Sequence, residues 1–201
     1  SGKFADSDAG KTNAVIFSQT DLTLNGTGEL NIESKYGSGI VSKKDLRVTG
    51  GSFTVSASKH ALKGCDNVSI ADGKFTLTAG KDGIHSENEE NAESGNIYIK
   101  NGEFTINTAS EALDAINDIT IDGGYINIVK ADEGMEALTI NINGGKIMVV
   151  SSDDGLNASY SDKEEIEAKL SGTALTDNTS KKTKKKGPPV LSESAASTYV
   201  N

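Results

Sequence analysis

The sequence predicts an all-β fold, a right-handed parallel β-helix of about seven turns followed by a short helix and a tail. Three observations predict it: a Gly-x-apolar motif recurs every 21 to 29 residues, apolar residues alternate around each copy, and apolar side chains are scarce. Only 35% of residues are hydrophobic, 22 are Gly and Trp is absent. A solenoid suits this composition because each turn contributes only a few inward side chains to a narrow core.

The Gly-x-apolar motif marks one strand in each turn. Its six copies are Gly28-Glu-Leu30, Gly51-Ser-Phe53, Gly73-Lys-Phe75, Gly102-Glu-Phe104, Gly124-Tyr-Ile126 and Gly145-Lys-Ile147. A further apolar residue follows two positions later in every copy, which is the periodicity of a strand with one buried face. Upstream of all but the first Gly, two apolar residues such as Leu46 and Val48 recur at fixed offsets and predict a second strand.

A small residue followed by an apolar one marks a third strand. The seven pairs are Ala14-Val15, Gly39-Ile40, Ala61-Leu62, Gly83-Ile84, Ala112-Leu113, Gly134-Met135 and Gly155-Leu156. Three strands joined by Gly, Asn and Asp bends predict a triangular coil over residues 13–160, after an N-terminal segment of residues 1–12. Residues 161–201 read as a helix over 161–170, capped by Ser161, then a Lys-rich linker and a tail.

Charge and cysteine content exclude several function classes. Residues 1–160 carry 13 Lys and Arg against 23 Asp and Glu, which argues against nucleic acid as a partner. The lysine run at 181–186 is therefore interpreted as a solvated linker. Cys65 is the single cysteine, so no intramolecular disulfide forms.

No stretch is apolar enough for membrane insertion, and the first residues lack the apolar core of a signal peptide.

Acidic residues collect around the small-apolar pair of the third strand. The residue before the pair is, turn by turn, Asn13, Ser38, His60, Asp82, Glu111, Glu133 and Asp154. Equivalent residues of stacked turns lie about 5 Å apart, where carboxylates repel by roughly 1 kcal/mol in water and more in a lower dielectric. Oxygen ligands from several carboxylates favour Ca²⁺, and a solvent-screened acidic ladder is the alternative. The densest cluster comprises Asp132, Glu133, Glu136, Asp153 and Asp154.

Four further residues are candidates for binding carbohydrate. Tyr98 and Tyr125 point outward by strand alternation, so they could stack on a sugar ring or simply cover a sheet edge. Lys81 and Lys130 lie beside the acids and could serve as counter-charges or as bases. The two histidines, His60 and His85, occupy different offsets of neighbouring turns and are interpreted as separate surface residues without a shared metal.

The third-strand motifs resemble those of a known family. Lys81-Asp-Gly-Ile-His-Ser86, Asp132-Glu-Gly-Met-Glu-Ala137 and Asp153-Asp-Gly-Leu-Asn-Ala158 are similar to the D-D-G-I-x-A turns of secreted bacterial carbohydrate-binding β-helix proteins, related in fold to pectate lyases. The resemblance covers residues 13–160. It departs from the family pattern at Ser38 and His60, where acids would be expected.

The resemblance implies an extracellular or cell-surface protein that binds plant-type polysaccharides such as cellulose or polygalacturonate. It also implies calcium held by the acidic turns. Carried over by position, the calcium ligands would be Asp82, Glu111, Asp114, Asp132, Glu133, Glu136, Asp153 and Asp154.

Three functions remain open at this point. The first is calcium-dependent, non-catalytic polysaccharide binding. The second is a structural role as an adhesin or a filament subunit, because solenoid ends carry unpaired strand edges that allow end-to-end association. The third is a pectate-lyase-like polysaccharide lyase, which needs calcium and a basic side chain near the substrate.

Overall fold

The predicted parallel β-helix is confirmed by a computed structural model, which describes residues 13–88, 91 and 93–159 and the backbone of 196–200. Six complete turns of three strands are followed by the first strand of a seventh. Each of the three sequence motifs becomes one sheet. Within the described residues, the structure has no helix long and apolar enough to cross a membrane.

The strands stack into three sheets. Sheet A contains β1 (Ala14–Ser18), β4 (Ser38–Ser42), β7 (Leu62–Gly64), β10 (Ile84–Ser86), β13 (Leu113–Ala115), β16 (Met135–Ala137) and β19 (Leu156–Ala158). Sheet B contains β2 (Leu22–Leu24), β5 (Leu46–Val48), β8 (Asn67–Ile70), β11 (Asn96–Ile99), β14 (Asp118–Ile121) and β17 (Thr139–Ile142). Sheet C contains β3 (Glu29–Ser34), β6 (Ser52–Ala57), β9 (Lys74–Ala79), β12 (Glu103–Thr108), β15 (Tyr125–Ala131), β18 (Lys146–Ser151) and β20 (Ala196–Val200).

The core is a narrow column of aliphatic and aromatic side chains. Parallel pairing in register places equivalent residues of successive turns on top of one another. Phe53, Phe75 and Phe104 therefore form a continuous stack, with ring centroids 5.1 and 4.6 Å apart and nearly parallel planes. Isoleucines dominate the neighbouring positions of sheet B, where Ile97 and Ile119 are completely buried.

The glycine of the Gly-x-apolar motif makes the bend between sheets B and C. Gly102 and Gly124 adopt φ angles of 132° and 94°, a conformation that residues with a side chain rarely adopt. A Cβ at Gly124 would also lie only 2.6 Å from the carbonyl oxygen of Gly102. The positive φ angles and the close approach of the stacked bends therefore account for glycine at these two positions.

The C-terminal end of sheet C is closed by a strand that the repeat does not predict. β20 pairs antiparallel with β18, matching Ile147 with Val200 and Ser151 with Ala196. The predicted helix over 161–170, the linker and the N-terminal segment of residues 1–12 lie outside the described residues. Covering one sheet edge removes part of the surface available for end-to-end stacking, and self-association stays a prediction.

Candidate metal centre

Histidine and carboxylate side chains from three consecutive turns meet where sheet C leads into sheet A. Asp82 lies on the bend before β10, and His60 and Glu111 occupy the equivalent bends of the turns on either side. Backbone hydrogen bonds hold the three bends in register: the amide of Ala61 donates to the carbonyl of Asp82 at 3.1 Å, and the amide of Gly83 donates to the carbonyl of Glu111 at 3.0 Å. The small residues after each acid allow this close stacking.

Asp82 is the centre of the group. Its Oδ2 atom lies 2.7 Å from Nδ1 of His60 and 3.1 Å from Nδ1 of His85. The His85 Nδ1 atom also lies 2.6 Å from Oδ2 of Asp114, its partner in the sheet A ladder. Asp82 and His85 are both buried, with 4% and 6% of their surface exposed. This corner of the solenoid is thus a buried cluster of charges.

The interpretation of the two histidines as separate surface residues is wrong. Their rings stack with centroids 4.4 Å apart and an angle of 23° between planes. Within their turns, the positions of His60 and His85 differ by three residues. The His85 side chain is directed toward Asp82, and Asp82 occupies the position of the next turn that is equivalent to His60. Both imidazoles therefore meet the same carboxylate.

Three of the predicted calcium ligands come together in the same place. Carboxylate oxygens of Asp82, Glu111 and Asp114 lie within 4.8 Å of one another. Asp82 is buried and the other two are half-buried. Carboxylates at this spacing match the hard oxygen ligands that Ca²⁺ requires, with backbone carbonyls and water completing the shell.

Burial and close contact set the protonation of the cluster. Burial alone would lower the pKa of His85, but hydrogen bonds with Asp114, Asp82 and Glu87 raise that pKa to about 10. Burial, together with the hydrogen bond to Asp82, raises the pKa of Glu111 to about 8. Burial would raise the pKa of Asp82, yet its close polar contacts with His60, His85 and Glu111 hold it well below its usual range. Burial also lowers the pKa of His60.

At neutral pH these shifts give a defined charge pattern. His85 is an imidazolium, Asp82 is ionised, and Glu111 is protonated and donates a hydrogen bond to Asp82. His60 is neutral. The buried carboxylates are therefore neutralised by one internal cation and one shared proton.

We expect the metal-free protein to lose stability as the pH rises from about 6 to 10. The pKa of His85 is near 6.5 in the unfolded chain and about 10 in the folded one, so its contribution is complete below 6.5 and disappears toward 10. The pKa of Glu111, raised from 4.5 to about 8 by folding, lowers the stability in the same direction as the pH rises through that range. Urea unfolding in chelator should show the free energy of unfolding falling by a few kcal/mol. His85→Gln should flatten the profile, and a flat profile for the unmodified chain would contradict these shifts.

The other five predicted ligands form a separate acidic patch on the last turns. Asp132 accepts a hydrogen bond from Ser152 at 2.7 Å, and the amide nitrogen of Asn157 lies 3.0 Å from Glu133 and 3.3 Å from Glu136. Asp153 and Asp154 are exposed. In the part of the chain that the structure describes, groups of three ligand atoms within 4.8 Å occur only around Asp82. The closest group of potential ligand atoms therefore lies in earlier turns than the densest acidic cluster of the sequence. The five acidic residues of that cluster stay predicted calcium ligands.

The predicted carbohydrate-binding residues are dispersed. Tyr98, on sheet B, donates a hydrogen bond to Asp122 at 2.6 Å, whereas Tyr125, on sheet C, lies 5.6 Å beneath the ammonium group of Lys146. Lys81 is exposed on the bend before Asp82, and Lys130 is exposed at a register irregularity of β15. Both Tyr side chains are exposed as predicted, but on different faces, so they do not form one stacking platform.

Comparison with known proteins agrees with this architecture. A family model described as "Carbohydrate-binding domain-containing protein" matches residues 2–183. The chain belongs to this family. A carbohydrate-binding domain-containing protein of Acetivibrio thermocellus is 40% identical over 55 residues, which are 27% of this chain and 19% of that protein. The family resemblance of the repeat motifs is thereby confirmed.

The fold of this chain is also seen in a solved structure. This is the polysaccharide lyase-like protein from C. thermocellum, as a gadolinium derivative, with 30% identity and a TM-score of 0.58. The match covers 77% of this chain and 56% of that one. The chain thus spans little more than half of the solved relative and about a fifth of the curated one.

Proposed function

We propose that this chain is a calcium-dependent, non-catalytic polysaccharide-binding module that works outside the cell or at its surface. The observation that carries the proposal is the convergence of Asp82, Glu111 and Asp114 within 4.8 Å at one corner of the solenoid. Membership of the carbohydrate-binding family supplies the ligand class. Calcium would be held by these three carboxylates, and the remaining acidic turns would offer further sites.

Calcium has a clear physical task at this corner. Without it, Glu111 must keep its proton because a second charge beside Asp82 is unfavourable. A divalent cation neutralises both carboxylates at once and also cross-links adjacent turns. It would bind through the six to eight oxygen ligands that Ca²⁺ takes, about 2.3 to 2.6 Å away.

Calcium also explains how an acidic body could hold an acidic polymer. Residues 1–160 have ten more acidic than basic side chains, 23 against 13, so a polyuronate is repelled unless a cation lies between them. An ion held at the corner and still coordinated by water can exchange that water for a uronate carboxylate. Polygalacturonate is accordingly the first ligand to examine, with cellulose as the neutral comparison.

Chelator should release the chain from polygalacturonate. We expect the retained fraction in a pull-down to fall at least tenfold when calcium is replaced by chelator, because the bridging ion is lost. Asp114→Asn should weaken retention in calcium. Asp72→Asn provides the matched control, since Asp72 is exposed on the bend between sheets B and C and accepts hydrogen bonds from the amide of Gly73 and the side chain of Asn101. Unchanged retention in chelator would refute calcium bridging, and circular dichroism checks that both variants fold.

Catalysis is the second candidate, because the solved relative is titled a polysaccharide lyase-like protein. β-Elimination needs a basic side chain beside the uronate to take its proton. Arg47 is the sole arginine of the chain, and on sheet B it is engaged in ion pairs with Asp21 and Asp45. Lys81 and Lys130 are the predicted bases. Long incubation with pectate and calcium would give unsaturated, ultraviolet-absorbing products if the chain is a lyase, and none if it only binds.

A further inference from the structure

We propose that His60, Asp82 and His85, joined by Asp114, form a binding site for a zinc-class divalent metal ion, which shares Asp82 and Asp114 with the proposed calcium site and adds two imidazoles. One ring nitrogen of each histidine and a carboxylate oxygen of Asp82 lie within 4.8 Å of one another. All three side chains are largely shielded from solvent, with 13%, 6% and 8% of their side-chain surface exposed for His60, Asp82 and His85. Two imidazoles and one or two carboxylates are a donor set that Zn²⁺ commonly takes.

The donor atoms lie slightly closer together than they would around a bound ion. Consecutive donor atoms lie 2.7 Å (His60 to Asp82), 3.1 Å (Asp82 to His85) and 2.6 Å (His85 to Asp114) apart. In a tetrahedral zinc site with bonds of about 2.0 to 2.1 Å, the donors are separated by about 3.3 Å. Each of these three pairs would separate by less than 1 Å, and the stacked rings would turn so that both Nδ1 lone pairs point toward the ion.

The imidazoles decide the class of metal. Calcium takes oxygen ligands, whereas imidazole nitrogen suits zinc, copper and nickel ions. His60 stands where later turns carry Asp82, Glu111, Glu133 and Asp154, so this turn offers nitrogen where those turns offer carboxylate oxygen. His85 provides a second nitrogen from the adjacent turn. Asp82 and Asp114 would be shared between this site and the carboxylate site, and the two histidines would belong to this site.

The surroundings of the two histidines favour their use as ligands. Nε2 of His85, the nitrogen that faces away from Asp82, lies 3.4 Å from a carboxylate oxygen of Glu87. Metal-bound histidines commonly present their second nitrogen to a carboxylate in this way, which orients the ring. Nδ1 of His60 is buried and, despite the short distance to Asp82, makes no well-aligned hydrogen bond within the described residues. It is therefore an available donor.

Charge balance is compatible with a divalent ion. Asp82, Asp114 and Glu87 surround His85, and Lys63 is its neighbour in the sheet A ladder on the other side. A divalent ion at this place would put two positive charges beside these three carboxylates.

Titration of the untagged, metal-free chain with Zn²⁺ tests the site. We expect one zinc ion per chain in isothermal titration calorimetry, retained in excess calcium. Co²⁺ should give the intense visible bands of a tetrahedral nitrogen and oxygen site. His60→Gln should weaken zinc binding by more than tenfold, and Glu87→Gln by roughly tenfold, the effect expected of a residue that orients a ligand.

Matched variants separate this site from nonspecific binding and from the calcium proposal. Asp153→Asn, on the exposed C-terminal patch, should leave zinc binding unchanged. His60→Gln should leave calcium-dependent retention on polygalacturonate unchanged, so either proposal can fail alone. Absence of zinc uptake by the unmodified chain, displacement by calcium, or equal zinc binding by a correctly folded His60→Gln variant would each overturn the assignment.

Discussion

Phe75→Ala is expected to lower the free energy of unfolding by about 3 to 5 kcal/mol, the range for truncating a large buried aromatic residue. Phe75 is 1% exposed and lies between Phe53 and Phe104 in the three-ring stack. Removing the middle ring creates a cavity and breaks two stacking contacts at once. Backbone hydrogen bonds on both sides keep the turns at a fixed spacing, so the neighbouring turns cannot collapse into the gap.

Chemical denaturation in urea measures this effect, with Phe75→Leu and Val15→Ala as controls. Phe75→Leu keeps most of the buried volume and should cost less than half as much. Val15 is 47% exposed, so its truncation should change the free energy by about 0.5 kcal/mol or less. A loss below about 1 kcal/mol for Phe75→Ala would mean that the stack does not contribute as a unit.

Repetition made the three sheets predictable from the sequence. In a stacked solenoid, equal offsets become direct neighbours, so the spacing of Phe75 and Phe104 specifies their contact without any folding calculation. The place of a bend glycine such as Gly124 is equally predictable, because the stacked bends leave no room for a side chain there. β20 could not be predicted in this way, since Ala196–Val200 carries no copy of the repeat and pairs antiparallel.

The same rule explains which part of the candidate site was predictable. Asp82 and Glu111 share an offset, and Asp114 shares its offset with His85, so their stacking follows from the repeat. The contact between His60 and His85 does not follow from the repeat, because it depends on the direction in which the His85 side chain points from its strand. A signal was nonetheless present: His85 lies three residues after Asp82, with Gly83 and Ile84 between, and His60 stands one turn before the acidic column begins.

His85→Leu is expected to cost about 3 to 5 kcal/mol at neutral pH, the range for removing one partner of a buried ion pair. The substitution leaves the carboxylates of Asp82 and Asp114 without their internal cation, and Asp82 is almost fully buried. Urea unfolding of the metal-free chain measures the loss. Lys74→Leu is the control, because the Lys74–Glu103 pair is exposed and its removal should cost no more than about 1 kcal/mol.

Two further measurements attribute this loss to charge and not to packing. The deficit of His85→Leu should shrink as the pH falls from 7 toward 5, because protonation then relieves the unpaired carboxylates. Asp82→Leu should also cost less in the His85→Leu background than in the unmodified chain, since removing both partners avoids an isolated buried charge. Equal costs in the two backgrounds would mean that His85 and Asp82 stabilise the corner independently. A lower cost in the His85→Leu background would instead show that, in the metal-free chain, the His85 imidazolium is the internal cation that stabilises the Asp82 carboxylate.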